Sequence, residues 1–496
     1  MSKKQSLIEA REAYRHAFPP GALEMFREDP IDRVGIPAVA ASLRLKTGTQ
    51  FATQGHGATL EEAEVGTLGE MAEAVFTEAA LRAHPRVTGS YEELVRNHGA
   101  SSVMDPLRLC LNAGSLYDPD MRLTWVTVNR LKTGERVLIP EEWVATWSGE
   151  LRGHTPLITP ITNGQGAGLT REQALAHGLL ELLQRDGNGL QFRALDQGVV
   201  LDLENAPLGP DVQELLARYK HLGIEVIPKL ASTEFGLVSV YVVGRDPHLN
   251  DQPMALTACG EAADLDRERA LRKALLEYAG SRTRKSFANG PLELAAKIVP
   301  PGYFDRFLPY LKLEDEEPRA LHAMAFWARL TAPQMRTLIE KPVMSEKHRV
   351  PFTDLPTTVN SGDAKQRAAL LVDKLTRAGF DILVADLSPS DHSVHSLKVI
   401  VPGLEVETMS YHRIGERGVA KLLARQDPLA GLGRPPEGAR PVRLTKEAEE
   451  RLGGPAWFNT RLAEQTVGRL YSLYREPRRH AAQLLLRQPR FGGGLG

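Results

Sequence analysis

A mixed α/β or α+β fold with a mainly helical C-terminal extension is what this 496-residue sequence predicts. Three observations predict it. Runs of alternating apolar and β-branched residues interleave with helix-period segments, a glycine–threonine–acid helix entrance recurs along the chain, and residues 442–486 carry helix periodicity behind a turn-rich stretch. With 42% hydrophobic and 25% charged residues, there is apolar material for one large core or two to three ordinary ones.

Taken in order, residues 1–30 open with "MSKKQSLIEAREAYRHAF", a charged amphipathic pattern that predicts an N-terminal helical segment. It has no apolar signal core, and no stretch of the chain is long and apolar enough to span a bilayer, so a cytoplasmic protein without a membrane partner is expected. Residues 31–430 form the main body. Strands are expected at "GVVLDLE" (198–204), "IEVIPKLA" (224–231), "LVSVYVVG" (237–244), "DILVADLS" (381–388) and "LKVIVPG" (397–403), with strand order open. The Pro-containing stretch 340–363 and the turn-rich "GLGRPPEGARP" (431–441) read as loops or boundaries. Residues 431–496 form the linker and helical extension, ending in a frayed "FGGGLG".

Charge narrows the function. Lys and Arg number 61 against 62 Asp and Glu, a net charge of -1, so no global field recruits nucleic acid. The two cysteines, Cys110 and Cys259, lie far apart and outside any Cys-x-x-Cys spacing, which excludes a disulfide framework or thiolate zinc site and suggests buried filler.

The helix entrance carries the chemistry. "GHGATLEEAEVGTLGEMAE" (55–73) is echoed 111 residues later by "GAGLTREQALAHGLLELLQ" (166–184), matching Gly55 with Gly166, Gly57 with Gly168, Thr59 with Thr170, Glu61 with Glu172, Ala63 with Ala174 and Glu70 with Glu181. Thr59 with Glu62 and Thr170 with Gln173 have capping-box spacing, which places both helix starts. A third copy without the glycine turn, "DLDRERALRKALLEYAG", keeps Asp266, Glu268, Ala270 and Glu277 in register. Such an entrance offers unpaired N–H groups to an anion. Further in, Glu70 with Glu73 and Glu181 with Gln184 share a face, and carboxylates gathered from separate helices call for a hard cation such as Mg2+. Taken singly, each stretch also fits a solvated helix face; the common spacing and third copy point to a Mg-nucleotide site. His56 and His177 read as surface or capping residues rather than ligands.

Four blocks in this sequence resemble the YcaO family, whose members use ATP to activate a backbone amide of a peptide or protein. They are "DRVGIPAVAA" leading to "QGHGATLEEAEVGTLGEMAE", "TNGQGAGLTREQALAHGLLELLQRD", "ERALRKALLEYAGSR" and "LKVIVPGLE", in family order across about residues 32–420. The resemblance implies a YcaO-like fold whose duplicated strand–helix units form the nucleotide site, with ATP and Mg2+ as cofactors. It places Glu70, Glu73, Glu181, Gln184 and Glu277 at metal positions. Gly55, Gly57, Asn163, Gly164, Gly168, Gln173, Arg185, Lys273 and Arg282 fall at nucleotide-binding positions. It names no catalytic residue. The implied reaction phosphorylates the amide oxygen and adds a nucleophile to the amide carbon, giving an azoline, thioamide or amidine in the modification of a ribosomal peptide. Alignment and charge neutralisation would do most of the catalysis.

The sequence departs from the family pattern at His56 (usually Lys), Thr162 (Ser), Gly166 (Ser or Ala), Leu169 (Asn), Gln173 (Glu), Gln184 (Glu) and Gly280 (Gln). Leu169 cannot donate a hydrogen bond from its side chain, and Gln184 offers only a neutral oxygen. A degenerate, non-catalytic peptide-binding or scaffold subunit is therefore the alternative reading, and a nucleotide-dependent sensor or small-molecule ligase a third. The tail "RQPRFGGGLG" differs from the proline-rich end of many ring-forming members, which favours other amide activations. Without a Cys-x-x-Cys module, leader-peptide recognition or sulfur delivery is expected from a separate partner, alongside the peptide substrate. A two-fold homodimer is the base-rate expectation.

Overall fold

The computed structural model describes residues 3–152, 155–190, 195–358 and 362–488, so the terminal "FGGGLG" lies outside the described residues. The fold is mixed α/β with several open sheets. The N-terminal helix covers Lys3–Ala17 and stops before Pro19 and Pro20, which cannot continue it. Residues 1–30 are therefore not helical throughout, because the strand Gly21–Arg27 follows.

The chain divides into two compact units. The first comprises Met1–Met71, Gln191–Val359 and Gly468–Gly496, the second Ala72–Leu190 and Asn360–Val467. One boundary falls inside the helix Leu60–Ala83, one after Leu190, one within 340–363 as the boundary reading of that stretch expects, and one inside the expected C-terminal extension, of which 431–467 belongs to the second unit and 468–488 to the first.

In the first unit, strands Gly21–Arg27, Ala38–Leu45 and Gln50–His56 form an antiparallel meander. A five-stranded sheet runs in the order Gly260–Asp264, Val238–Arg245, Glu225–Ser232, Val199–Asp202 and His348–Pro351. Its last strand corrects the loop reading of 340–363. Helix Ala332–Val343 reaches into that stretch, and His348–Pro351 pairs in parallel with Val199–Asp202. Four mostly exposed residues carry no alternation that would betray a strand. One core gathers Val238, Val240 and Val242 with Leu271, Ala274 and Leu275 of the helix Arg267–Asn289, all buried.

In the second unit, the larger sheet runs Val87–Gly89, Leu123–Arg130, Leu383–Asp386, His395–Ile400 and Gln165–Gly168, with Arg136–Pro140 also paired to Leu123–Arg130. Trp125 is completely buried at its centre and donates from Nε1 to Gly89 O at 2.9 Å, satisfying its one polar atom. A small sheet joins Ala430–Leu432, Ala456–Phe458 and Arg440–Pro441. The stretch 431–441 is thus a turn between two strands of one sheet rather than a boundary, and 456–458 interrupts the expected helical extension. No described helix is long and apolar enough to cross a membrane.

Candidate functional site

The three helix entrances form as their caps dictate. Thr59 Oγ1 accepts from Glu62 N at 3.2 Å, while Glu62 reaches back to Ala58 N at 2.9 Å. Thr170 Oγ1 accepts from Gln173 N at 3.2 Å, and Gln173 Oε1 accepts from Thr170 N and Leu169 N at 3.1 and 2.8 Å. Asp266 Oδ1 accepts from Glu268 N and Arg269 N at 2.8 and 3.0 Å. Each is a strand followed by a capped helix. The caps change the anion-cradle expectation, because N–H groups of these first turns are bonded by the chain's own side chains. Gln173 in particular spends its amide oxygen on the cap.

The repeated glycines have a packing reason. A Cβ at Gly57 would lie 2.4 Å from Glu62 Cβ, and one at Gly168 would lie 2.5 Å from Gln173 Cβ. Gly55 and Gly166 are equally tight, at 2.3 Å from Thr67 N and 2.1 Å from Ala174 O. Only a residue without a side chain lets strand and following helix approach so closely.

In the second unit, Glu73 is buried and Glu181 and Gln184 are half-buried. Glu181 Oε2 accepts from Gly164 N at 2.9 Å, which orients the carboxylate, and Arg185 Nε stands 3.9 Å from its Oε1. Gln165 Nε2 donates to Glu73 O at 3.2 Å and to Thr77 Oγ1 at 2.7 Å. Asn163 Nδ2 donates to Glu407 Oε1 at 2.9 Å. His177 is exposed, with Nε2 4.0 Å from Glu73 Oε1. Lys398, which the sequence reading passed over, is buried on the strand His395–Ile400 and donates to Ile161 O. Burial pushes its ammonium down to about 8, although Glu181, Glu150 and Glu73 act in the opposite sense. A lysine inside the apolar run "LKVIVPG" was the signal available.

In the first unit, Glu70 is exposed on the helix Leu60–Ala83, one turn before Glu73. Glu277 Oε2 accepts from Glu261 N, on the strand before its helix, at 2.9 Å, whereas the partner of Glu181, Gly164 N, lies in the turn that leads into the strand Gln165–Gly168. Lys273 is tied to Asp264 at 2.9 Å. Arg282 is fully buried between Asp32 and Asp246, held by three hydrogen bonds of 2.9 Å, so the structure spends it on the core. His56 is not a surface residue: it is half-buried, and burial followed by the charge of Arg284 lowers its pKa to about 4, leaving the ring neutral. Within either unit, no three His, Cys, Asp or Glu side chains among the described residues gather into a preformed metal cage. The donors on offer are nonetheless carboxylate oxygens fixed by backbone N–H groups, which fit Mg2+, a hard ion that keeps waters and takes phosphate oxygens.

The repeated strand–helix units bear carboxylates oriented by backbone N–H groups, and comparison with known proteins supplies the class of protein to which they belong. The model of the YcaO family, described as YcaO cyclodehydratase, ATP- and Mg2+-binding, matches residues 54–405; the chain belongs to the YcaO family. ATP and Mg2+ are the cofactors this membership brings, and it supports an ATP-dependent enzyme. An uncharacterized protein of Methanothermobacter thermautotrophicus is 26% identical over 395 residues, covering 78% of this chain and 90% of that protein. The structure of YcaO from Methanopyrus kandleri bound with AMPPCP and Mg2+ shares the fold with TM-score 0.56 and 22% identity, covering 84% of this chain and 94% of that one. A heterocyclase in complex with substrate and cofactor has TM-score 0.60 and 18% identity, covering 85% of this chain and 55% of its own.

Proposed function

We propose that this chain uses MgATP to activate a backbone amide of a peptide or protein substrate, so that a nucleophile adds at the amide carbon in the modification of a ribosomal peptide. The carrying observation is that in two repeats a backbone N–H preceding the helix orients that helix's carboxylate, Gly164 N to Glu181 and Glu261 N to Glu277, each at 2.9 Å. ATP supplies the phosphoryl group that converts the amide oxygen into a leaving group, and Mg2+ neutralises the phosphate charge. Glu70 and Glu277 in the first unit, and Glu73 and Glu181 in the second with Gln184 as a neutral oxygen donor, offer oxygens of the kind Mg2+ takes. Asn163, fixed by Glu407, and the backbone around Gly164 and Gly168 shape the nucleotide's bed, and Arg185 steadies Glu181. Lys273 keeps the third repeat's strand and helix together through Asp264. The nucleophile selects thioamide, amidine or azoline.

The test is peptide-stimulated phosphate release in wild type, Glu181→Gln and Glu277→Gln. An amide oxygen can still accept the backbone N–H, so these changes remove charge and keep shape. Turnover should fall at least about 100-fold in each; undiminished turnover overturns the reading. The commitment of Gln173 to its helix cap, together with apolar Leu169, favours the second reading, a non-catalytic peptide-binding subunit. A saturable MgATP isotherm would remove it.

A further inference from the structure

The helix Arg267–Asn289 carries more of the site than its acid. Glu277, Gly280 and Arg284, at i, i+3 and i+7, share one face, and a rise of about 1.5 Å per residue sets Arg284 about 10.5 Å beyond Glu277. At Gly280, between them, the helix carries no side chain. A Cβ at Gly280 would lie 2.6 Å from His56 Cγ and 2.7 Å from its Nδ1, so the imidazole lies directly over the glycine. A ring at 56 and no side chain at 280 are therefore one arrangement, and two departures from the family pattern explain each other.

The ring brings no charge. The resemblance expects a lysine at 56, and His56 is neutral near pH 7. A cation has to come from elsewhere. Arg282 points into the core toward Asp32 and Asp246, and two residues further on, about 200° around the helix, Arg284 points the other way. From Tyr278 to Asn289, Arg284 is the one residue that is not buried, with 43% of its side chain exposed.

The C-terminal segment holds it. Glu476 Oε1 is 3.0 Å from Arg284 Nη2 and 3.0 Å from Lys285 Nζ, while Asn289 Nδ2 donates to its Oε2 at 3.3 Å. Glu476 is itself fixed, because His480 N donates to Ala288 O at 2.7 Å and the imidazole is enclosed by Phe287, Tyr303, Phe304 and Phe307. Arg479 adds a bond to Thr53 O at 2.8 Å. Glu476 is shared by Arg284 and Lys285, Glu28 also feels the charge of Arg284, and Lys285 is too deeply buried to meet a ligand.

We propose that Arg284 is a phosphate-gripping residue of the first unit, standing in for the cation absent at position 56, and that Glu476 positions it from the C-terminal segment. The planar guanidinium suits bidentate contact with phosphate oxygens. Its place at the far end of the Glu277 face fits an elongated polyphosphate whose metal-bound part lies toward the acid. This deepens the MgATP reading and rests on it.

Calorimetric titration of MgATP, and separately of inorganic triphosphate, into full-length wild type, Arg284→Met, Arg284→Lys, Glu476→Gln and Glu277→Gln tests it. Arg284→Met should weaken both ligands about tenfold or more and flatten the salt dependence. Arg284→Lys should recover part of the loss, and Glu476→Gln should weaken both about three- to tenfold by releasing the guanidinium. Wild-type affinity in Arg284→Met alongside weakened MgATP binding in Glu277→Gln overturns the inference and spares the functional reading. Absence of any binding to wild type overturns both. Should Arg284→Met fail to fold, Glu476→Gln decides, and an unchanged isotherm there counts against the proposal.

Discussion

Arg282→Met separates a structural arginine from a ligand-binding one. Arg282 is 0% exposed; its Nε and Nη2 reach Asp32 Oδ2 and Oδ1, and Nη2 also reaches Asp246 Oδ2, all at 2.9 Å. Asp246 retains Arg33 Nη2 at 2.6 Å, so Asp32, with a side chain 2% exposed, is the carboxylate that loses its ion pair. Removing one partner of a buried pair costs about 3–5 kcal/mol, because the remaining charge keeps its desolvation penalty. Asp32→Asn in the same chain deletes that charge and should return about 2 kcal/mol, a coupling that independent sites would not show. The assay is urea unfolding followed by intrinsic fluorescence, paired with a MgATP isotherm under conditions where the variant is folded. Stability within about 1 kcal/mol of wild type, or lost nucleotide affinity with stability intact, would refute the structural assignment.

Burial raises the Glu28 carboxyl to about 7 from 4.5, so its contribution to stability is complete below about 4.5 and is lost as pH rises through 7. Glu28→Gln should therefore be up to about 3 kcal/mol more stable than wild type at pH 8, with the gap closing by pH 4.5; parallel pH–stability curves would contradict this. Lys398 has the opposite sign. Its folded pKa falls to about 8 from 10.5, the unfolded chain binds more protons in between, and wild type should gain up to about 3 kcal/mol relative to Lys398→Met across that window. Equal slopes for the two proteins would show that the ammonium is not desolvated. Gly280→Ala drives a methyl to 2.6 Å from the His56 ring and should cost about 1–3 kcal/mol, with relief when His56→Ala is added. Additive melting-temperature losses would disprove the contact.

The helix entrances were legible where local chemistry decides structure. Thr59, Thr170 and Asp266 cap their helices because a short oxygen-bearing side chain before an acid-rich first turn has few other uses. The five strands read from the sequence all occur, since β-branched alternation marks a half-buried strand. The strand Ala38–Leu45 was missed because its run "AVAASLRL" is alanine-rich and lacks that signature. His348–Pro351 and the small sheet around Trp457 depend on partners distant in sequence, which no local pattern encodes. Arg282 and Arg284 are two residues apart on one helix, and nothing local says which faces the core. The acids Asp32 and Asp246, remote in sequence, decide it.

The central claim is that the carboxylate on each repeated helix is needed to bind a divalent ion with the nucleotide. Electron paramagnetic resonance with Mn2+ in place of Mg2+ counts that ion directly. Wild type should show ATP-dependent Mn2+ binding, and Glu181→Gln and Glu277→Gln should each weaken it at least about tenfold while melting within a few degrees of wild type. Full ATP-dependent Mn2+ binding in both variants would contradict the account.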